Sequence, residues 1–579
     1  MDTGLDHHDK HHPKGPPPHS AIHGTAAWAD WQSIRHELEK PAPACGLNMA
    51  HAAVTRHATG VDRDRPALRW LAVDGCRKQW TFAQLERLTN RVANGLKNLD
   101  VAPGEVVATL CGRVPELYLT ALGTLKAGAV FSALFATYGP EPILHRLAAS
   151  QARVLVTTRQ QYAKIQSCRA RLPALKHVLL IDAPDHHKPG VAHLQALMDT
   201  AADTFVVAPT DPEDPALIHF TSGTTGMPKG VVHVHAAALH HLLTARGVLD
   251  LKPGEIYWCT ADPGWVTGVV YGFLAPLMAG AMTIIDEADF DARRWLGILA
   301  DERVSVWYTS PSALRRLMTL PVKPCQSADL KALRLVFSVG EPLHAAAVHW
   351  GEAALGVPIR DTWWQSETGG IMIANPAHAS VRPGAMGRPV AGIRAAVVRP
   401  AANGTVTACG TGEVGELALA AGWPSMFRRM LGEAGGYERY FSGGWYLTGD
   451  LARVDADGTF WFVGRTDDMI KSSGHMVSPF EVESVLMESP GVADAGVVGV
   501  PDDHLGQRVR AYVTLAPGVP VDEALRYRIM AFARQRLGPA LAPREIVFIR
   551  SMPKNPAGKI LRRELTGHGG PERPASPGG

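Results

Sequence analysis

The chain has 579 residues, 46% hydrophobic and 20% charged. That is too long for one compact core and too apolar for a disordered chain, so two or three folded domains are expected. Its 58 basic and 55 acidic side chains leave a formal net charge of +3, which gives nucleic acid no electrostatic hold as the main partner. The cysteines, at 45, 76, 111, 168, 259, 325 and 409, are odd in number and form no CxxC pair. This speaks against a disulfide framework or a Cys-based zinc site and fits a reducing, cytoplasmic setting.

Residues 1–25 hold six histidines and a Pro triplet where a secretory signal would need an apolar stretch, and they read as a disordered tail. From about residue 105 strands and helices alternate. EVVATLCG (105–112) reads as a strand, VPELYLTALGTLKAG (114–128) as a helix, and AVFSALF (129–135) as a strand. PEPILHRLAASQA (140–152) is a helix, and RVLVTT (153–158) and KHVLLID (176–182) are strands. The pattern returns at ALIHFTSG (216–223), SVWYTS (305–310) and LRLVFSVG (333–340). Such alternation predicts βαβ units and a parallel sheet covered on both faces. The 23 uncharged residues between Asp262 and Asp286 are long enough to span a bilayer. Pro276 and the glycines at 264, 268, 272 and 280 break them, so a buried helix, turn and strand is expected and no membrane span. A β-rich stretch follows from GIRAAVV (392–398) to GTFWFVG (458–464). After Arg465 come a helix, two strands and a longer helix. The expected organisation is α/β: a large N-terminal domain over 26–465 with a β-rich end, a small mobile α+β domain over 466–565, and a disordered tail over 566–579.

Directly after the apolar strand ALIHF lies TSGTTGMPKG (221–230). Gly223, Gly226 and Gly230 permit the backbone angles of a loop whose N–H groups turn inward on an anion. Thr221, Ser222, Thr224 and Thr225 add hydroxyl donors, and Lys229 adds a point charge. The loop is not a Walker A loop, because Pro228 stands where that pattern needs its second glycine.

TSGTTGMPKG resembles the phosphate-binding signature of the acyl-adenylate-forming superfamily, which includes acyl-CoA synthetases. Four further segments agree in order: DTWWQSETGG (361–370), GWYLTGD (444–450), GRTDDMIKSSGH (464–475) and NPAGKILRR (555–563). The likeness spans roughly residues 30–565. DTWWQSETGG, SVGEP (338–342) and TADPGWVTG (260–268) are most similar to the acetyl-CoA synthetases within that superfamily.

The resemblance implies an ATP-dependent acid–thiol ligase acting on acetate, ATP with Mg2+, and coenzyme A. Acetyl-CoA, AMP and diphosphate would form through an acetyl-adenylate. It implies Lys559 as the lysine that stabilises charge at the α-phosphate, with Thr221 and Glu367 as further catalytic groups and Glu367 beside the metal. A single hard oxygen ligand completed by substrate phosphates suits Mg2+. Gly340, Glu341 and Pro342 match the adenine segment, and Asp361, Thr362, Trp363, Trp364, Gln365 and Ser366 match the rest of the nucleotide pocket. Asp450 and Arg465 match the ribose contacts; a carboxylate, which only accepts, suits two adjacent hydroxyls. Ser473 and Gly474 match residues beside pantetheine, and Asp467 matches the pivot on which the small domain turns between half-reactions. Val266, Thr267, Val339 and Trp364 match the acyl walls, with the indole as floor. One methylene is worth only about 1–3 kcal/mol in such a pocket, so propionate or another C2–C4 acid is the alternative substrate. A carrier-protein thiol in place of coenzyme A and a non-catalytic nucleotide-binding homologue are further alternatives. One departure stands out: Met476 replaces the arginine that usually follows the SGH tripeptide, and Arg382, Lys471 and Arg544 are the cations available in sequence. A lysine acetyltransferase and deacetylase acting on Lys559 are the expected protein partners.

Overall fold

The computed structural model describes residues 30–40, 46–184, 189–222, 228–319, 325, 328–401, 404–432, 437–472, 475–502, 505–555 and 559–567. The stretch 1–25 and most of the expected C-terminal tail lie outside them; the last helix, Arg562–Gly567, runs into the first residues of that tail.

The alternating pattern builds two large sheets rather than one. In the first, five parallel strands follow Pro215–Ser222 in the order Val130–Ala133, Val106–Leu110, Val154–Thr157, His177–Leu180 and Val191–His193. Pro215–Ser222 also pairs antiparallel with Pro228–Val234, so the two described ends of the TSGTTGMPKG segment, Thr221–Ser222 and Pro228–Gly230, lie on paired strands. The second sheet has nine strands. Its parallel centre runs Ile359–Trp363, Leu335–Ser338, Val306–Thr309, Ile256–Cys259, Met282–Asp286 and Pro66–Leu71. These central strands read as unbroken apolar runs because helices cover both faces. The hairpin Pro66–Leu71 and Arg77–Thr81 closes one edge. Its sequence signal is the Asp74-Gly75 turn. Thr81 also caps the helix Phe82–Asn98 in a reciprocal box with Gln84, which satisfies two orphan donors of the first turn.

The uncharged run after Asp262 folds as expected into a buried helical stretch, with a π-turn at Val270–Leu274, and the strand Met282–Asp286. Among the described residues no helix is long and apolar enough to cross a membrane. The β-rich stretch forms a six-stranded antiparallel sheet that includes Ala395–Pro400, Gly415–Ala420, Trp445–Val454 and Phe460–Arg465. Beyond Arg465 a five-stranded sheet carries the helices Pro479–Met487 and Glu523–Leu541 around its own core of Val482, Leu486, Val497, Val509 and Ile529. Gly538 leaves helical geometry inside the second helix, directly before Pro539. Proline there cannot supply an N–H and disfavours helical geometry in the residue before it.

Candidate active site

The second sheet sets the site, because the carboxyl ends of its parallel strands all open on one cleft. Residues just past Ile256–Cys259, Met282–Asp286, Val306–Thr309, Leu335–Ser338 and Ile359–Trp363 line a cavity of about 1360 Å³. The antiparallel sheet contributes Asp450 and Arg465, the hairpin contributes Thr221 and Lys229, and the small C-terminal unit contributes Lys554 and Lys559. That volume exceeds the roughly 300–1,000 Å³ of an ordinary small-molecule pocket and has room for a nucleotide with a second substrate.

Backbone alternation in Ile359–Trp363 and its continuation sends neighbouring side chains to different parts of the cleft. The Trp363 indole donates to Asp450 Oδ2 at 2.9 Å, whereas the Trp364 indole donates to Tyr308 Oη at 3.1 Å. Gln365 Nε2 donates to Asp450 Oδ2 at 3.1 Å and to the Thr448 carbonyl at 2.9 Å. Tyr446 donates to Gln365 Oε1 at 2.8 Å. Arg465 Nη1 donates to Asp450 Oδ1 at 2.8 Å. Burial works against the Arg465 charge, yet Asp450 and Asp467 hold its pKa above the ordinary value. Asp450 is thus a buried acceptor fixed by three donors, with acceptor capacity left on Oδ1.

The segment 340–342 is fixed by the helix Pro311–Met318. Ser310 caps it, accepting from the Ala313 N–H, and Pro311 opens it, a favoured N-terminal arrangement. Ser312 and Arg315, three residues apart on one face, donate to Glu341 Oε1 and Oε2 at 2.6 and 2.7 Å. Gly340 has φ +93°, a conformation that side chains resist. Asp361 is buried, and desolvation pushes its carboxyl up to about 8 against the pull of the Thr362 and Leu343 backbone donors. A protonated Asp361 can donate as well as accept.

Glu367 feels the charges of Asp450, Arg465 and Lys229. Burial raises its pKa, Asp450 adds to the rise, and its own backbone N–H, Arg465 and Lys229 pull it down. A hard oxygen donor whose ionised form is disfavoured by burial fits a divalent cation, which would offset that cost. Among the described residues no group of three or more His, Cys, Asp or Glu side chains could hold a metal alone. A divalent cation such as Mg2+ held here would need oxygen ligands from outside the chain, which that ion usually takes.

Val266, Thr267, Val339 and Trp364 are all nearly buried and all line the cleft. Beside Thr267, a Cβ on Gly268 would fall 2.1 Å from the Asp262 carbonyl oxygen, so only glycine lets the loop close there. Lys559 lines the cleft mouth, where its backbone N–H meets Asn555 Oδ1 at 2.9 Å and its carbonyl accepts from the Asn555 N–H at 2.9 Å.

Of the residues singled out in sequence, one cleft gathers Thr221, Lys229, Val266, Thr267, Val339, Gly340, Glu341, Pro342, every residue from Asp361 to Glu367, Asp450, Arg465, Asp467 and Lys559. Ser222 ends the strand Pro215–Ser222. Gly223, Thr224, Thr225, Gly226, Ser473 and Gly474 lie outside the described residues. Met476 is half exposed and does not line the cleft, and neither do Arg382, Lys471 and Arg544. Arg382 is engaged by Asp455 and Asp457 at 2.7 and 3.0 Å. Sequence reasoning missed the supports: Tyr308 and Tyr271 behind Trp364, Arg315 on Glu341, and the histidines of VVHVHAAALHH. Only the histidine density was a visible signal.

Two known sequence families match this chain. Residues 54–429 match the AMP-binding enzyme family and 481–559 match the AMP-binding enzyme C-terminal domain. The chain belongs to the AMP-binding enzyme family. It is 39% identical to an acetyl-coenzyme A synthetase of Bacillus subtilis over 90% of each chain. It is 34% identical to the acetyl-coenzyme A synthetase of Escherichia coli over 90% of this chain and 83% of that one. Among solved structures it is similar to the anthranilate CoA ligase AuaEII in complex with anthranoyl-AMP, with TM-score 0.82 and 29% identity over 90% of this chain and 96% of that one. It is also similar to a Brucella canis acyl-CoA synthetase, with TM-score 0.72 and 33% identity over 93% and 96%.

Proposed function

We infer that this protein is an AMP-forming acetate–CoA ligase. It couples acetate to ATP, releasing diphosphate, and then transfers the acetyl group to coenzyme A, releasing AMP. The observation that carries the reading is the continuity of one cleft from Asp450 and Glu341, through Lys229 and Lys559, to an acyl space floored by the indole of Trp364. The similarity to acetyl-coenzyme A synthetases supports acetate in particular.

Acetate is a poor acyl donor because its leaving group would be oxide. Attack of its carboxylate oxygen on the α-phosphorus forms a mixed anhydride as the P–O bond to diphosphate breaks. Negative charge grows on the phosphoryl oxygens, so fixed cations and donors there lower the barrier most. In this reading Lys559 and Thr221 supply them, Lys229 faces the outer phosphates, and Glu367 carries Mg2+, which neutralises phosphate charge when bound. Asp450 and Arg465 hold the ribose, Glu341 and Pro342 line the base, and Trp364 with Val266, Thr267 and Val339 admits a methyl group. The thiol of coenzyme A then attacks the acyl carbon and AMP leaves. Ser473 and Gly474 would flank the pantetheine, and Asp467 would be the pivot between a large unit over 26–465 and a small one over 466–565.

None of the six described cysteines is in a disulfide, which supports work in the reducing cytoplasm. Acetylation of Lys559 by an acetyltransferase would remove the charge that adenylation uses, and a deacetylase would restore it. The test of the function is an acid-by-acid measurement of AMP formation with ATP, Mg2+ and coenzyme A present. Acetate should give the highest kcat/KM, with propionate second and butyrate weak. A preference for propionate or a longer acid would overturn the assignment to acetate, and no acid-dependent AMP would overturn the ligase reading itself.

A further inference from the structure

We propose that Tyr308, which does not line the acyl space, sets the acid-size limit by locking the indole of Trp364 through a one-way chain of hydrogen bonds. The inference rests on the acetate–CoA ligase reading above.

The chain has four members. Trp364 Nε1 lies 3.1 Å from Tyr308 Oη, which lies 2.7 Å from Thr362 Oγ1, which lies 2.7 Å from the Ser338 carbonyl oxygen. An indole N–H can only donate and a carbonyl can only accept. The two hydroxyls between them therefore share one polarity: Trp364 donates to Tyr308, Tyr308 to Thr362, and Thr362 to Ser338. Each hydroxyl accepts once and donates once along the chain. Tyr308 and Ser338 are completely buried and Thr362 is 2% exposed, so water cannot stand in for a lost link. Ser338 directly precedes Val339, another acyl wall. Floor and wall are thus held in register by one chain.

A second constraint acts on the same ring. Tyr271 packs edge-on against Trp364 at 5.2 Å and against Tyr308 at 5.7 Å. The Tyr271 hydroxyl accepts from the Ile371 N–H at 3.0 Å and donates to Thr244 at 2.8 Å, and Thr244 donates to the His240 carbonyl at 2.8 Å. The bond at Nε1 fixes rotation of the indole about its side-chain axis, and the Tyr271 edge limits its tilt. A floor that cannot swing makes a longer acid clash; a floor that can swing lets it in at small cost. Discrimination of one methylene therefore depends on the stiffness of Trp364 as well as its size.

Replacing Tyr308 by Phe keeps the ring volume and removes one hydroxyl, and with it the bonds to Trp364 and to Thr362. The indole N–H is then buried without its acceptor, a state that costs free energy and is relieved if the ring swings away from its present seat. The experiment measures kcat/KM for acetate, propionate and butyrate in the full-length protein and in Tyr308→Phe. The butyrate-to-acetate ratio should rise about tenfold, the size of one methylene's discrimination, while the KM for ATP stays within twofold. In a Trp364→Phe background, which lacks the donor, adding Tyr308→Phe should leave the ratio unchanged. If Tyr308→Phe does not fold, Thr362→Val breaks the next link and should move the ratio in the same direction. An unchanged ratio in a variant with native-like melting, or an additive effect in the Trp364→Phe background, overturns the proposal. Failure of the wild-type protein to prefer acetate would instead sink the reading on which it rests.

Discussion

Lys559 is one of several cations that face the cleft, and its charge is carried by a side chain at the mouth rather than by a residue built into the core. That placement makes it separable from folding. Lys559→Ala should cut acetate-dependent ATP–diphosphate exchange by about 10²–10³-fold, the scale of losing one group that meets transition-state charge. Thioester formation from supplied acetyl-AMP should persist within a few fold, because no phosphoryl bond is made in that step. Equal loss in both half-reactions would contradict the role. Trp364 is the opposite case, since in the proposed function its role is its bulk. Trp364→Gly should lower kcat/KM for acetate and raise it for acids of four to eight carbons. A variant with the same acid preference and undiminished acetate activity would show that the indole does not floor the acyl space.

The hairpin Pro215–Ser222 and Pro228–Val234 and the helix Ala237–Gly247 form an element with an unusual load of buried histidine. His233 Nε2 lies 2.8 Å from the Ser366 carbonyl, His241 Nε2 2.8 Å from Gly369, and His240 Nε2 2.9 Å from Ile371. Three rings thus brace the backbone just past Trp364 and Gln365. Burial, the largest cause throughout, lowers His233 and His240 to about 4 and His235 and His241 to about 3, and it holds His219 well below the ordinary value. These rings are neutral when folded, whereas an unfolded chain binds protons on them below about pH 6.5. Their contribution to stability is complete above that pH and is lost as pH falls toward 4. Each histidine that takes up a proton on unfolding adds about 1.4 kcal/mol per pH unit to the slope. Urea denaturation between pH 7.5 and 5 should show a steep fall that becomes shallower in His241→Asn, and a flat profile would refute this account. This element also shows where sequence reading stops. Many strands of the parallel sheets, including the one that leads into TSGTTGMPKG, were legible because buried strands are continuous apolar runs bounded by turn residues, whereas the antiparallel return Pro228–Val234 was not. Most of the cleft residues singled out in sequence were legible because they sit in five ordered motifs, and the rest because they sit in TADPGWVTG and SVGEP. Tyr308, Tyr271, Arg315 and the bracing histidines were not, since each acts through a partner 26 to 133 positions away in the chain, and no local pattern records such a pairing. The first-sheet and second-sheet strands also share one sequence grammar, so their division between two sheets was invisible.

At the scale of the whole molecule, the small unit meets the large one around the cleft through polar contacts and ring packing, Phe480 lying against both His344 and Phe462. Arg315, already bound to Glu341, lies 3.7 Å from Asp494, which also pairs with Lys554 at 2.6 Å. His344 meets Ser484 at 2.9 Å and stacks on Phe480. Thr466 donates its N–H to the Gly449 carbonyl at 2.9 Å, directly before Asp467. By contrast, Arg562 is tied within the small unit to both oxygens of Glu483 at 2.7 and 2.8 Å and to Asp468 at 3.3 Å. The small unit is therefore internally braced up to Asp468, while the large unit holds the chain through Thr466. Any rotation of one against the other falls on the backbone between those residues, which is where the proposed pivot Asp467 stands. Proline at 467 would fix φ near −65° and would also bias Thr466 away from helical angles. Adenylation needs only the arrangement in which Lys559 lines the cleft, so diphosphate exchange by Asp467→Pro should remain within a few fold of wild type. Acetyl-CoA synthesis requires the proposed rotation and should fall by at least tenfold. Substituting proline also removes the Asp467 contact to Arg465 Nε at 3.4 Å. Asp467→Ala removes that contact while leaving φ free, and should preserve both half-reactions. Normal thioester synthesis by a folded Asp467→Pro protein would move the pivot elsewhere, and equal damage in Asp467→Ala would assign the effect to the lost carboxylate rather than to the backbone.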